Sequence, residues 1–410
     1  MKVTGIEVFP ISLPPPARGG SRLMILRLDT DAGISGYGEM MLLSNPFRWP
    51  VVAAMLEDLV EQALIGHDPY HAEERFDRIY GRAGYSHAPE QTKLGMLSAL
   101  DMACYDIVGK DLGQPVHRLL GGPLRDRVRT YTYLYADEAD EADASLQQSL
   151  RTLWLDPGYS AARARHYVDL GFTAVKLDPF SLTVSEDQAL GQTVPLQFTP
   201  QALETAESVI AAIRAEVGPA ADILIGTHGQ MTPASAIRFA RRIEACDPLW
   251  FEEPVPPENA AALAEVARAT TIPITTGERL TSKHDFARLL SHRAAAIFNF
   301  DVGLVGGILE AKKIAAMAEA HYVQIAPHVY GGPMIAAASL ELSLCSPNFL
   351  IMEGVETFGG IYNELADPPF DWRDGFLYPS GRPGLGHDLR EDVARRLRPD
   401  GPGPSLVRVY

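Results

Sequence analysis

Cysteine is scarce in this sequence, and long apolar runs are missing from it. The three cysteines, Cys104, Cys246 and Cys345, lie far apart, which argues against both a disulfide framework and a thiolate metal cluster. No stretch is long and apolar enough to span a bilayer. The first residues, MKVTGIEVFPISLP, lack the basic and apolar regions of a secretory signal peptide and its A-x-A site. We therefore expect a cytoplasmic protein that has no membrane partner.

Positive charge is also scarce, since 36 lysines and arginines face 52 aspartates and glutamates and leave a formal net charge of −16. Such a charge repels phosphate backbones, so we expect no nucleic-acid partner. The G-x-S-x-G elbow of a serine hydrolase is missing as well. Gly303, Gly306 and Gly307 precede a helix, but their spacing fits neither Walker A nor G-x-G-x-x-G. We interpret this glycine run as a tight strand-to-helix turn.

Two patterns follow each other along the 410 residues. Residues 1–125 begin with strand-like runs and continue into helical ones, which predicts an α+β unit; Gly109 and the Gly113-Gln114-Pro115 run are expected to end its strongest helix. From 126 to 355, short apolar strands alternate with amphipathic helices, as in the parallel sheet of an α/β barrel. The turn-rich segment 356–410 is predicted to pack as a tail over a larger body. Thr232 and Pro233 are typical of a helix start.

Polar residues stand at the carboxyl ends of seven predicted barrel strands. From the second of these residues onward, the intervals are 24, 26, 23, 27 and 25 residues, close to one strand plus one crossover helix. One acidic residue after a strand is more often a solvated cap, but seven in register favour a common site. If the strands close into a barrel, these side chains converge on its catalytic rim. They are Asp178, His228, Glu252, Glu278, Asp301, His328 and Glu353.

The residue types at these positions indicate a chemistry. Glu252 and Glu278, on neighbouring strands, offer hard oxygen ligands of the kind that Mg²⁺ prefers over zinc. A divalent ion would remove the repulsion between them and would stabilise an enolate formed from a carboxylate. Asp301 and His328 are expected to pair, so that the aspartate orients the imidazole and raises its basicity. The sequence therefore predicts a base beside a metal ion.

The chain resembles the enolase superfamily, specifically the mandelate racemase subgroup and its sugar-acid (galactonate/mannonate-type) dehydratases, over nearly its whole length. The motifs that carry the resemblance are ISGYGE, SALDMACYDIVGKDLGQPVHRLLGG, WFEEPVPPEN, TGERL, DVGLVGGILEAKKIAAMAEAH, APH and PGLG. The resemblance implies a modified TIM (β/α) barrel with an N-terminal α+β capping domain that the C-terminal tail completes, and it implies a homo-oligomer. It makes Glu252 and Glu278 metal ligands, Asp301 with His328 the base dyad, and Glu353 a polar contact to the substrate carboxylate.

The sequence departs from the family's pattern at two positions. Gly226 stands where the family usually has an aspartate ligand, and Lys176-Leu177-Asp178 replaces a lysine–x–lysine pair. Asp178 faces inward and is expected to supply the missing metal ligand, while His228 resembles the acid/base histidine of some sugar-acid dehydratases. Two alternatives remain open: Asp178 only pairs with Lys176, or the site has lost both metal and activity.

The loss of the second lysine favours dehydration over racemisation, because a racemase exchanges protons on both faces of the α-carbon. We expect the Asp301–His328 dyad to remove the proton α to a sugar-acid carboxylate while Mg²⁺ stabilises the enediolate. His228 would then protonate the departing β-hydroxyl, or His328 would return its own proton if departure is on the same face, and the product would be a 2-keto-3-deoxy acid. Lys176 would stabilise the carboxylate, or act as a second acid/base in an isomerising relative. The alternatives are a racemase or cycloisomerase of a related carboxylate, and a non-catalytic sugar-acid-binding relative.

Overall fold

The computed structural model describes residues 1–42, 47–81, 87, 89–137, 146–180 and 194–401. Its first three strands form an antiparallel sheet in chain order: β1 (Val3–Ser12), β2 (Arg22–Thr30) and β3 (Ser35–Met40). Consecutive strand residues point to opposite faces, and in β2 both faces are covered. Met24 and Leu26 pack toward the capping helices, whereas Leu23 and Ile25 pack toward the C-terminal segment.

Helices cover the first face of this sheet. The longest of them, α3, begins after Glu90, whose carboxylate accepts the backbone N–H groups of Thr92 and Lys93. The expectation that Gly109 helps to end this helix is wrong, because α3 continues through Gly109, which lets the backbone of Gly384 approach closely. The helix ends at Gly113 in the left-handed conformation, as the sequence predicts. Gly38 of β3 lets this helix approach closely, because a β-carbon there would overlap the carbonyl oxygen of Ala99. The helices of this region are α1 (Trp49–Ala63), α2 (Ala72–Tyr80), α3 (Gln91–Leu112) and α4 (Val116–Leu119).

Eight parallel strands form a closed barrel. They are β4 (Val128–Tyr133), β5 (Ala174–Leu177), β6 (Asp222–Gly226), β7 (Trp250–Glu252), β8 (Ile274–Thr276), β9 (Ile297–Phe298), β10 (Gln324–Ile325) and β11 (Met352–Gly354). Each pairs with the next from β4 to β10, and β11 pairs with β4. A parallel bridge between Ile325 and Phe349 closes the remaining seam. Large side chains such as Tyr131, Leu224 and Trp250 fill the interior, so the barrel is a packed core.

Crossover helices connect the successive barrel strands on the outside. Two of them, after Thr199 and Thr232, begin at a hydroxyl cap followed by a proline; at Thr232 the side chain accepts the backbone N–H of Ser235, as predicted for this helix start. The helices are α5 (Leu146–Leu155), α6 (Pro157–Asp169), α7 (Pro200–Val217), α8 (Pro233–Ile243), α9 (Ala260–Ala269), α10 (Lys283–His292), α11 (Ile308–Ala320) and α12 (Pro333–Leu344). Short 3-10 turns at Gly218–Ala220 and Glu244–Cys246 follow α7 and α8.

The C-terminal segment returns to the first sheet. It contains α13 (Ile361–Glu364), β12 (Ala366–Asp367), β13 (Asp371–Arg373), β14 (Phe376–Tyr378), β15 (Asp388–Leu389) and α14 (Glu391–Arg396). Leu389 and Val393 pack against Phe9 and Ile25, while β14 pairs antiparallel with the start of β4. The predicted modified barrel, with a capping domain completed by the C-terminal tail, is confirmed. The domain boundaries at residues 125 and 355 stay a prediction.

The capping sheet is tied to the barrel mouth through a buried carboxylate. Glu39 of β3 accepts the backbone N–H groups of Gly332, Met334 and Ile335 at the start of α12, at 2.5, 3.1 and 3.2 Å. Four residues before Gly332 lies His328, one of the seven polar residues predicted at the ends of the barrel strands. The capping domain therefore fixes the loop that follows this histidine. Among the described residues, no helix has the length and apolar character needed to cross a membrane.

Candidate active site

The carboxyl ends of the barrel strands bring the predicted polar residues to one mouth. Almost all of them are buried: Lys176, Asp178 and Asp301 are fully inaccessible, and Glu252, Glu278 and Glu353 are at most 2% exposed. His228 differs, because its side chain remains 27% exposed. The structure thus brings these predicted residues together around His228, which solvent reaches. Their chemical roles stay predictions.

His328 and Asp301 form the expected imidazole–carboxylate pair. Nδ1 of His328 lies 2.7 Å from Asp301 Oδ2, and a parallel bridge joins the two backbones. The other oxygen of Asp301 accepts the backbone N–H of Gly303 at 2.6 Å, which fixes the carboxylate in place. Because Nδ1 is committed to the aspartate, Nε2 is the nitrogen left for proton transfer.

Two glutamates surround that second nitrogen. Nε2 of His328 lies 3.7 Å from Glu278 Oε2 and 3.6 Å from Glu353 Oε2. Burial alone would lower the pKa of His328, but the charge of Glu353, the bond to Asp301 and the charge of Glu278 outweigh it and raise the pKa to about 10. Glu353 is itself held by the backbone N–H of Val329 at 3.1 Å. The imidazole is therefore set in a strongly anionic surrounding.

A second imidazole–carboxylate pair lies between the neighbouring strands β5 and β6. Nδ1 of His228 is 3.1 Å from Asp178 Oδ2, which also accepts from Gln230 Nε2 at 2.9 Å. His228 adopts a φ of 48°, a left-handed backbone conformation that is uncommon outside glycine and clusters at functional sites. Burial would lower the pKa of His228, but the bond to Asp178 and the charge of Glu278 raise it. This pair therefore favours a protonated imidazole.

Lys176 occupies the centre of the mouth. Its Nζ lies 2.7 Å from Glu252 Oε1 and 4.0 Å from Glu278 Oε2. The prediction allowed a simple Lys176–Asp178 pair; the structure instead directs the lysine to Glu252 and leaves Asp178 with His228. Burial would lower the pKa of Lys176, but the Glu252 charge raises it well above its ordinary value. The lysine is thus a firmly charged buried ammonium.

The two glutamates next to Lys176 lie within hydrogen-bonding reach of each other, and their affinities for protons diverge. Burial raises the pKa of Glu252 to about 8, although Lys176 opposes that change. Burial also acts to raise the pKa of Glu278, but the positive charges of His328 and Lys176 outweigh it and lower the pKa. Such a divergence is typical of two carboxyl groups that share one site.

The Mg²⁺ ligand set predicted from the sequence, Asp178, Glu252 and Glu278, is not assembled. Among the residues that the structure describes, no three histidine, cysteine, aspartate or glutamate side chains are grouped so that they could hold a metal ion. Asp178 is turned to His228, and an ammonium already lies against Glu252. Asp178 is therefore held by a histidine, a cation is paired with Glu252, and the residues present do not fit Mg²⁺.

Three uncharged side chains of the site were missed in the sequence. Tyr133, at the end of β4, places its hydroxyl 3.4 Å from His228 Nε2. Asn299 donates to Glu252 Oε1 at 2.7 Å, and Gln230 donates to Asp178. Asn299 lies two residues before Asp301 in the same predicted strand, so the two side chains share a face. The alternation of side chains along a strand therefore predicts that Asn299 reaches the site. Tyr133 and Gln230 carry no such signal beyond their position near a strand end.

Comparison with known families agrees with this architecture. Residues 159–393 match the Enolase C-terminal domain-like family, and residues 3–121 match the Mandelate racemase / muconate lactonizing enzyme, N-terminal domain. The chain belongs to the mandelate racemase/muconate lactonizing enzyme family. The resemblance expected from the motifs is thereby confirmed.

Individual members of the family match along almost the whole chain. D-galactonate dehydratase of Verminephrobacter eiseniae is 34% identical in an alignment of 411 positions, gaps included. The alignment covers 98% of this chain and 96% of the relative. A crystal structure from Labrenzia alexandrii, whose description names the mandelate racemase/muconate lactonizing enzymes, is 46% identical with a TM-score of 0.90, and the match covers 99% and 98% of the two chains. A family member from Sulfitobacter is 38% identical, also with a TM-score of 0.90, over 99% and 98%.

Proposed function

We propose that this protein is a carbon–oxygen lyase that dehydrates a sugar acid to a 2-keto-3-deoxy acid. The observation that carries the proposal is the presence of two imidazole–carboxylate pairs, His328–Asp301 and His228–Asp178, at one barrel mouth. Dehydration needs one group to accept a proton and another to deliver one. The relatives named D-galactonate dehydratase, at 31–34% identity over most of their length, support the same class of reaction and substrate.

The first step is removal of the proton α to the substrate carboxylate. Nε2 of His328 accepts this proton in the unprotonated form of the ring, a strong base whose fraction grows as the pH rises toward its pKa of about 10, while Asp301 holds the Nδ1–H and stabilises the imidazolium that forms. The electron pair of the broken C–H bond moves onto the carboxylate and gives an enediolate. We assign the ammonium of Lys176 to the stabilisation of that negative charge and Glu353 to a polar contact with the carboxylate.

The second step is departure of the β-hydroxyl. The imidazolium of His228 gives its proton to that hydroxyl, which leaves as water as the enediolate electrons form the α,β double bond. Asp178 stabilises the charged form of His228 before the transfer, and the partial exposure of this ring gives it access to the substrate and to solvent. The enol product then tautomerises to the 2-keto-3-deoxy acid.

Incubation of the purified protein with a panel of acid sugars tests this proposal. We expect at least one sugar acid to yield a product that reacts with semicarbazide, as a 2-keto acid does. An isomerised acid without a keto product would support a racemase or cycloisomerase instead, and binding without turnover would support a non-catalytic sugar-acid-binding protein. The cytoplasmic location and the homo-oligomeric state stay predictions; size-exclusion chromatography with light scattering tests the latter.

A further inference from the structure

The buried ammonium of Lys176 lies where a cation would have to bind Glu252 and Glu278 together. Nζ is 2.7 Å from one glutamate and 4.0 Å from the other, and the lysine is fully inaccessible to solvent. The rings of Tyr133 and Tyr131 lie 4.8 and 5.7 Å from it, and aromatic faces attract cations at such distances. A buried charge persists only when it is paired in this way. Lys176 is therefore an integral part of the carboxylate pair.

Gly226 is what gives the lysine its space. This residue ends β6 directly opposite Glu252 in the parallel register. A β-carbon on Gly226 would lie 2.7 Å from Lys176 Cε and 3.1 Å from the Tyr133 hydroxyl. An aspartate at this position and the observed lysine conformation exclude each other. A carboxylate at this position would therefore require the end of the Lys176 side chain to shift from its present place beside Glu252.

The remaining contacts of Glu252 are hydrogen bonds that fix its carboxylate beside Lys176. Its Oε1 accepts from Asn299 Nδ2 at 2.7 Å and its Oε2 accepts from Trp250 Nε1 at 3.0 Å. Each of these N–H donors takes up one lone pair and fixes the orientation of the carboxylate. Asp178 is held in the same manner by His228, by Gln230 and by the backbone N–H of Phe180 at 3.0 Å. The oxygens that could replace the missing aspartate are committed to donors.

We infer that the ammonium of Lys176 replaces the divalent cation in this barrel mouth, so that Glu252 and Glu278 bind no Mg²⁺ and the site operates without metal. The statement about metal binding stands on the contacts above. The statement about operation rests on the proposed function. The Lys176 ammonium, a single positive charge with three N–H donors, neutralises the glutamates and also the negative charge of the substrate.

Calorimetric titration of the purified full-length protein with Mg²⁺ tests the inference without any substitution. We expect no saturable binding and no stoichiometric metal in the protein by elemental analysis. If an acid-sugar substrate is found, turnover should survive treatment with EDTA at an unchanged rate. Binding of about one Mg²⁺ per chain at sub-millimolar concentration, or loss of turnover in EDTA that Mg²⁺ restores, would overturn it.

A gain-of-binding variant gives an independent test. The double substitution Lys176→Met with Gly226→Asp removes the ammonium and its clash and restores a carboxylate beside Glu252. We expect this variant to bind Mg²⁺ saturably, at least about a hundredfold more tightly than any residual binding by the wild type, because one positive charge near the cation is removed and one negative charge is added. The control is Lys110→Met, which removes a lysine paired with buried Asp106 outside the barrel and should create no Mg²⁺ binding.

The two proposals can fail separately. If the wild type binds no Mg²⁺ and the double variant does, the inference on Lys176 holds even when no acid sugar is turned over. If an acid sugar is dehydrated only in the presence of Mg²⁺ that the wild type binds, the function holds and the inference is wrong. Should the double variant fail to fold by circular dichroism, the wild-type titration and the metal content still decide the question.

Discussion

The pairing of His228 with Asp178 predicts how one substitution changes the affinity of an imidazole for its proton. In Asp178→Asn the residue keeps nearly the same shape, but the carboxylate that lies 3.1 Å from Nδ1 loses its charge. That charge favours the imidazolium over the neutral ring. Without this charge, less interaction energy opposes the burial that lowers the pKa of His228. The pKa must therefore fall.

The structure sets the size of this fall. Asp178 is fully buried, so solvent screens the pair only from the side of the histidine, which is 27% exposed. An opposite charge at hydrogen-bonding distance shifts a pKa by roughly 1 to 3 units. We therefore expect the pKa of His228 to drop by about 1 to 3 units, or about 1.4 to 4 kcal/mol of lost preference for the charged form.

Imidazole NMR titration of the two proteins measures this change directly, with the His228 signal assigned from its loss in His228→Gln. Asp222→Asn is the control, because Asp222 begins the same strand β6 at the opposite end of the barrel and pairs with Arg129 at 2.7 Å. This control should leave the pKa unchanged. A pKa of His228 that stays constant or rises in Asp178→Asn would refute the assignment of this pair. The same variant should leave Mg²⁺ titration curves as they are, whereas a lowered Mg²⁺ affinity would restore Asp178 as a metal ligand.

Three further predictions concern stability, each measured by urea unfolding. Gly38→Ala should destabilise the protein by about 1 to 3 kcal/mol, because the added carbon overlaps the Ala99 carbonyl of α3; an unchanged midpoint would show that the helix shifts freely. Thr232→Ala should lower the free energy of unfolding by about 1 kcal/mol, because the α8 cap is lost. Thr232→Ser should retain most of the stability that the cap provides. Arg75→Met should cost about 3 to 5 kcal/mol, since it leaves buried Asp101 without its 2.5 Å partner; no loss would mean that Asp101 takes up a proton.

Strand periodicity and parallel topology were sufficient to predict which residues reach the barrel mouth. Glu252, Asp301 and His328 stand at strand ends because one strand and one crossover helix recur at nearly constant length, and parallel strands all end on the same side. Local chemistry likewise located the start of α8 at Thr232 and the end of α3 at Gly113. The pairing of His328 with Asp301 followed from their adjacent strands.

The direction in which Lys176 points could not be predicted in the same way. Alternation places Lys176 and Asp178 on one face, but it does not say which neighbour a long flexible side chain meets. The answer depends on the space above Gly226, which exists only once β5, β6 and β7 are packed together. The short C-terminal strands were also missed, because two- and three-residue strands such as β12 and β13 leave too few positions for a pattern.

The central claim is that Nε2 of His328 removes the proton α to a sugar-acid carboxylate. Its most direct test is NMR of a substrate found in the acid-sugar panel, incubated in D₂O with the wild type and with His328→Asn. The account predicts that the wild type transfers the α-proton, seen as turnover or as deuterium at the α-carbon, and that His328→Asn, folded and still binding the acid, shows neither. Wild-type rates of exchange in His328→Asn would contradict the claim and would move the base to another residue, first of all Lys176.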